Sequence, residues 1–121
     1  MATLFDSSVL IDALNGIEAG VAELSSTEDR FISIVTSIEV LAGAPTYHAE
    51  SLARELLSSV AVLPLSEAVA EATVVLRRTT RLKLPDAIIL ATARVHGLTL
   101  STRNTRDFPR DDPSVRIPYE L

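Results

Sequence analysis

An α/β fold on a parallel sheet is what this sequence predicts, and three observations predict it. Short, β-branched apolar runs alternate with longer stretches of helical period, and the runs are apolar on both faces, as strands covered by helices on each side must be. At 121 residues and 13.0 kDa the chain is expected to form one domain. Alternation within so short a chain leaves room for a single central sheet of four to five strands flanked by helices.

The elements follow in order. A first strand is predicted at 2–5, where Thr3, Leu4 and Phe5 run into Asp6, with helices next at 8–14 and 17–25. Ile32, Ser33, Ile34 and Val35 make a second strand at 31–35, leading to a helix at 37–43 whose opening, Thr36 to Glu39, has the spacing of a capping box. A helix at 47–58 sets Leu52, Leu56 and Leu57 along one side, a pattern that suits a partner helix or a second copy and, more simply, core packing. After a strand at 60–64, Ser66 caps a helix at 66–80, where Val69, Ala72, Val75 and Leu76 recur at steps of three and four. A helix at 86–96 begins after Pro85, and strands at 98–101 and 115–117 complete the sheet. The end, from Pro109 to Leu121, reads as a surface tail holding one edge strand.

Composition removes several classes of function. There is no cysteine, so disulfides, thiolate catalysis and sulfur-ligated zinc are excluded, while His48 and His96 are too few for a histidine-based metal centre and read as surface and helix-end residues. Any metal must be held by oxygen. The formal net charge of -5 argues against a broad basic surface, so a nucleic acid would have to be met by local arginines. Hydrophobic residues at 47% and a mean hydropathy of +0.29 leave apolar surface for self-association or a protein partner. No apolar run approaches the roughly 20 residues of a membrane span. Nor does a basic region and signal core follow Met1, so a cytoplasmic protein with no membrane contact is expected.

Four acids carry the functional argument. Asp6 follows the first strand, Glu39 lies shortly after the second, Asp86 follows Pro85, and Asp107 comes after the strand ending at Ser101. Each alone suits a cap or the first turn of a helix. Asp6, Asn104 and Asp107, however, follow strands directly and Glu39 comes less than one turn into the helix after its strand, so in a parallel sheet they converge on the carboxyl edge, where ligands bind at a switch point. Gathering like charges is expensive unless a cation neutralises them, so the set points to bound divalent metal.

These positions lie in four segments, Leu4 to Asp12, Ser37 to Gly43, Leu84 to Ala93 and Leu100 to Phe108, which together resemble the signature segments of PIN-domain ribonucleases, most of all the VapC-type toxins of bacterial toxin-antitoxin pairs. The resemblance runs through nearly the whole chain in the family's order. It implies a single PIN-like domain over 1–121 and a magnesium- or manganese-dependent RNA endonuclease, often dimeric, silenced by a small antitoxin. It also implies that Asp6, Glu39 and Asp86 surround the metals, with Asp107 as the fourth acid and Asn104 as its neutral partner, hydrogen-bonding a carboxylate or a bound water. Ser8 and Thr102 match small hydroxyl positions of the family's site, though turn chemistry explains them as well. Hydrolysis at such a site is expected to leave 5′-phosphate and 3′-hydroxyl ends.

Arg103 and Arg106 stand beside the fourth acid and are expected to grip phosphate, and the basic run Arg77, Arg78, Arg81 and Lys83 precedes Asp86. Of that run, Arg81 and Lys83 are the nearer candidates for RNA. Two other classes compete. A dehalogenase-type phosphatase needs a second aspartate two residues after the first, where this chain has Ser8. A degenerate PIN module that binds RNA or a partner without cutting is disfavoured because all four acidic places are filled.

Overall fold

The computed structural model describes residues 1–121. All eleven predicted elements are present: β1 (Thr3–Phe5), α1 (Ser7–Leu14), α2 (Glu18–Ser25), β2 (Arg30–Ser33), α3 (Ile34–Ala42), α4 (Tyr47–Leu57), β3 (Ala61–Leu63), α5 (Glu67–Thr79), α6 (Leu84–Val95), β4 (Thr99–Ser101) and β5 (Val115–Arg116). The five strands form one parallel sheet in the order β3-β2-β1-β4-β5. The chain therefore builds outward from β1 on one side, then crosses back to place β4 on the other. That reversal makes the carboxyl ends of β1 and β4 the switch point.

Period-two alternation sorts the core into two layers. Leu4 pairs in register with Phe31 and Leu100, and these join Val115 on the face covered by Val69 and Leu76 of α5 and Ile89, Leu90 and Ala93 of α6. The next residues along the strands point the other way. Phe5 and Ile32 pack with Val9, Leu10, Leu24, Val40 and Ala53 from the first four helices. Full burial of Leu4, Phe5, Ile32 and Leu100 contributes roughly 1.5–3 kcal/mol each.

Three details depart from the sequence-based expectation. The helix predicted at 37–43 starts at Ile34 because the Ser33 hydroxyl caps it, accepting from the Val35 amide at 3.0 Å. Thr36 is consequently buried inside the helix, no capping box forms, and Glu39 sits in the second turn. The strand β3 is an open edge with Ala61 and Val62 exposed, so it is not covered on both faces. The third departure concerns the C-terminal segment, which is more than a surface tail: Tyr119 is partly buried, and its hydroxyl donates to Asp12 of α1 at 2.7 Å. Gly20 leaves space for this contact, since a Cβ there would lie 2.9 Å from the Ala13 amide nitrogen and 3.2 Å from the tyrosine oxygen. His48 and His96 are exposed, the latter ending α6 before Gly97, whose positive φ of 66° turns the chain toward β4.

Candidate active site

Asp6 leaves β1 in an extended conformation and caps α1, so the strand's end and the helix's first amides fix its carboxylate from both sides. One oxygen, Oδ2, accepts the hydroxyls of Ser8 at 2.8 Å and Thr102 at 2.9 Å, as well as the Ser8 amide at 3.4 Å. The backbone clamps the same junction, with the Asp6 amide donating to the Ser101 carbonyl at 2.9 Å across β1 and β4. Ser8 Oγ also accepts the Arg103 amide at 3.1 Å, and Thr102 Oγ1 that of Asn104 at 3.0 Å. Ser8 and Thr102 thus tie the loop after β4 to the acid after β1. Oδ1 of Asp6 takes part in none of these hydrogen bonds.

The loop after β4 is shaped by Asn104. Its Oδ1 accepts the amides of Arg106 and Asp107, both at 3.2 Å, while its Nδ2 donates to Asp107 Oδ2 at 2.9 Å. No helix begins there; the side chain imposes a turn that holds the Asp107 carboxylate in place. Asp86 occupies the first turn of α6, two residues after Leu84, and Pro85 is tolerated because that turn has no intrahelical use for its missing amide.

Electrostatics shows the four acids to be close. The Asp86 carboxyl is pushed up to about 6, first by burial and then by the negative charges of Asp6, Asp107 and Glu39, against a smaller opposing pull from Lys83. Glu39 is likewise raised, by burial and by Asp6, with the Ser7 hydroxyl working against the shift. Glu39 Oε1 is buried without a hydrogen-bond partner. An unpartnered buried carboxylate oxygen inside a self-repelling, all-oxygen cluster suits a hard divalent cation. The side chains as placed do not close three at a time on one point, so an ion held here would keep waters in its shell, as magnesium does.

The raised acids make a prediction for the metal-free protein. A folded-state carboxyl titrating above its unfolded value binds protons that the unfolded chain releases, so its stabilising effect is full below about pH 4 and lost as pH rises through about 6. Allowing for solvent screening of half-buried Asp86, the loss is about 1–2 kcal/mol. Calorimetry in EDTA should therefore give a lower Tm at pH 7.5 than at pH 5, with manganese restoring it at pH 7.5. A Tm that rises steadily over that interval would contradict the repulsive cluster.

Among the other anticipated residues, Arg103 is not available to phosphate. Its guanidinium is engaged at both ends by Asp12, with Nε 2.5 Å from Oδ2 and Nη2 2.8 Å from Oδ1. Arg77 is also occupied, donating to the Leu82 carbonyl at 2.8 Å. Arg81, Lys83 and Arg106, by contrast, line one open cleft beside Asp107. Asp12 was not singled out in the sequence, although an acid on the apolar side of α1, one turn after Val9, is a readable signal. Buried Glu23 is a second such case: it accepts the Ser101 hydroxyl at 2.7 Å and Arg116 Nη2 at 3.0 Å.

Comparison with known proteins follows the same outline. The pattern of the PIN domain matches residues 3–112. The chain is similar to a chain of the solved toxin-antitoxin complex from Klebsiella pneumoniae, with 44% identity over 99% of this chain and 100% of that one and a TM-score of 0.92. FitAcB from Neisseria gonorrhoeae matches at 29% identity over 96% and 97% of the two chains, with a TM-score of 0.77. DNA-bound VapBC from Salmonella typhimurium matches at 25% identity over 99% and 98%, with a TM-score of 0.75. No curated protein matches.

Proposed function

The chain belongs to the PIN domain family, and from that premise we propose that it is a magnesium- or manganese-dependent RNA endonuclease acting as the toxin of a toxin-antitoxin pair. The observation that carries this reading is the gathering of Asp6, Glu39 and Asp107 around half-buried Asp86, whose carboxyl is pushed up to about 6 first by burial and then by their three charges. Such a site is electrostatically unfavourable when empty. A small cognate antitoxin and a homodimer are proposed as partners, because the solved relative at 44% identity is a toxin-antitoxin complex. No helix is long and apolar enough to cross a membrane.

In this reading Asp6 and Asp86 are the main metal ligands, Glu39 is a ligand or orients the attacking water, and Asp107 completes the set. A divalent ion bound there would supply charge neutralisation at the scissile phosphate and a more acidic water. The chain's own residues do the positioning. Ser8 and Thr102 hold Oδ2 of Asp6, which fixes the carboxylate and leaves Oδ1 outside that hydrogen-bond set. Asn104 fixes Asp107 in the same way, with no added charge. Glu39 Oε1, which no protein donor satisfies, is suited to hold a proton or a water hydrogen.

The test is cleavage of a mixed RNA pool by the purified chain with magnesium, with manganese and with EDTA. Cutting that needs the metal and leaves 5′-phosphate and 3′-hydroxyl ends is the expected result. Products ending in 2′,3′-cyclic phosphate would overturn the proposed hydrolysis. Failure to cut, together with failure to bind manganese in calorimetry, would favour the non-catalytic PIN module.

A further inference from the structure

A cleft of about 550 Å³ opens beside the acidic cluster, between the α5–α6 connection and the loop after β4. Its lining reverses the character of the molecule. Arg81, Lys83, Arg94, Arg106 and Arg110 all border it, five of the eleven basic residues in a chain of net charge -5. Two of the five are already matched: Arg94 pairs with Asp112 and Arg110 with Glu120. Arg81, Lys83 and Arg106 make no ion pair, and all three are exposed. Asp107 lies in the same wall, so the cleft reaches one of the four proposed catalytic acids.

We infer that this cleft holds the backbone phosphates of single-stranded RNA on one side of the cleaved bond, through Arg81, Lys83 and Arg106. The assignment rests on the nuclease reading for its direction toward the acids, but its chemistry stands on the cleft alone. Three unpaired cations spaced around a polar trough follow a polyanion, and guanidinium forks grip phosphate oxygens in pairs. The volume lies in the range of a small-ligand pocket, sufficient for a short stretch of single strand. An acidic protein would otherwise repel RNA at long range, and a local basic channel leading to the carboxylates overcomes this at short range. Thr105 adds a hydroxyl along the same wall, whereas the hydroxyls of Thr79 and Thr80 already donate to the Val75 and Leu76 carbonyls of α5.

The experiment uses Asp86→Asn protein, so that binding is read without cleavage, and a fluorescein-labelled single-stranded RNA followed by anisotropy across a salt series. The triple variant Arg81→Gln, Lys83→Gln, Arg106→Gln is compared with a control, Arg54→Gln, Arg78→Gln, whose cations lie outside the cleft. The cleft variant should bind at least about tenfold more weakly, and its log-log salt slope should fall by about 2, since each lost phosphate contact removes about 0.7 from the slope for single strands. The control should match the parent. Unchanged affinity and slope in the cleft variant, or tighter binding of duplex than of single-stranded RNA by the parent, would overturn the assignment. The two readings fail separately: loss of cleft-dependent binding leaves metal-dependent cutting untouched, and absence of cutting leaves the salt slopes to be measured.

Discussion

An Asp6→Asn protein is expected to lose RNA cleavage by at least about 100-fold while melting at a higher temperature than the wild type in EDTA. Asparagine keeps the shape of the side chain, caps α1 as well as aspartate does, and can accept the Ser8 and Thr102 hydroxyls through its remaining oxygen. Only one oxygen and the charge felt by Glu39 and Asp86 are gone. Because changes to residues that merely support metal ligands already reduce activity by 10–100-fold, the loss of a ligand should exceed that. Stability should move the opposite way, because Asp6 is a source of the repulsion that raises both Glu39 and Asp86. Cleavage rates on RNA, set beside calorimetry of the same sample, check both halves. A variant that is less stable and equally active would mean that Asp6 is a cap and nothing more.

Asp12→Ala is expected to destabilise the protein by about 2–4 kcal/mol, the largest structural effect of any single change among the charged residues. The Asp12 side chain is 3% exposed, and it accepts two hydrogen bonds from Arg103 and one from Tyr119. Removing one partner of a buried pair strands the other, at a cost of 3–5 kcal/mol when both are fully buried; Arg103 is 33% exposed and recovers part of this from water. Burial by itself would raise the Asp12 carboxyl, but the hydrogen bonds from Arg103 and Tyr119 and the arginine's charge more than offset it, and the net direction is down. An acid depressed on folding stabilises at pH values above its unfolded range and loses that contribution as pH falls through the folded value. The gap between wild type and Asp12→Ala should thus narrow below about pH 4. Urea unfolding at pH 7 and at pH 3.5 checks the size and the narrowing, and Tyr119→Phe should lie between the two proteins, with a cost of about 1 kcal/mol at pH 7. Equal midpoints for Asp12→Ala and wild type at pH 7 would refute the ion pair's structural role.

The fold was legible because its signals are local. Leu4 and Phe5 announce a strand with two buried faces, and Pro85 followed by Asp86 announces the first turn of a helix, from neighbouring residues alone. The start of α3 was harder, since Ser33, Thr36 and Ser37 can all cap. Burial of Thr36 beneath the helix decides for Ser33, and burial is a property of the assembled layers. The acids of the candidate site could be named one by one for the same reason, as Asp6 and Asp107 come after strands, Asp86 opens a helix and Glu39 lies in the helix that follows β2. What could not be read is which basic residues are free: Arg103 finds Asp12 across 91 positions of sequence and Arg116 finds Glu23 across 93, and nothing in either neighbourhood announces the partner.

The hydrogen bond from Tyr119 to Asp12 also gives the protein a spectroscopic handle. The chain has no tryptophan and only two tyrosines, of which Tyr47 is 90% exposed on the surface of α4. Tyr119 is the one held by a buried carboxylate, and that carboxylate holds the same arginine whose amide is fastened to Ser8 beneath Asp6. A rigid phenol in an asymmetric setting gives a near-ultraviolet dichroism that a freely rotating one does not. The tyrosine band of the native, unlabelled protein therefore records whether the loop bearing Asn104 and Asp107 is docked against the first helix, and it can be followed while metal, RNA or a partner protein is added.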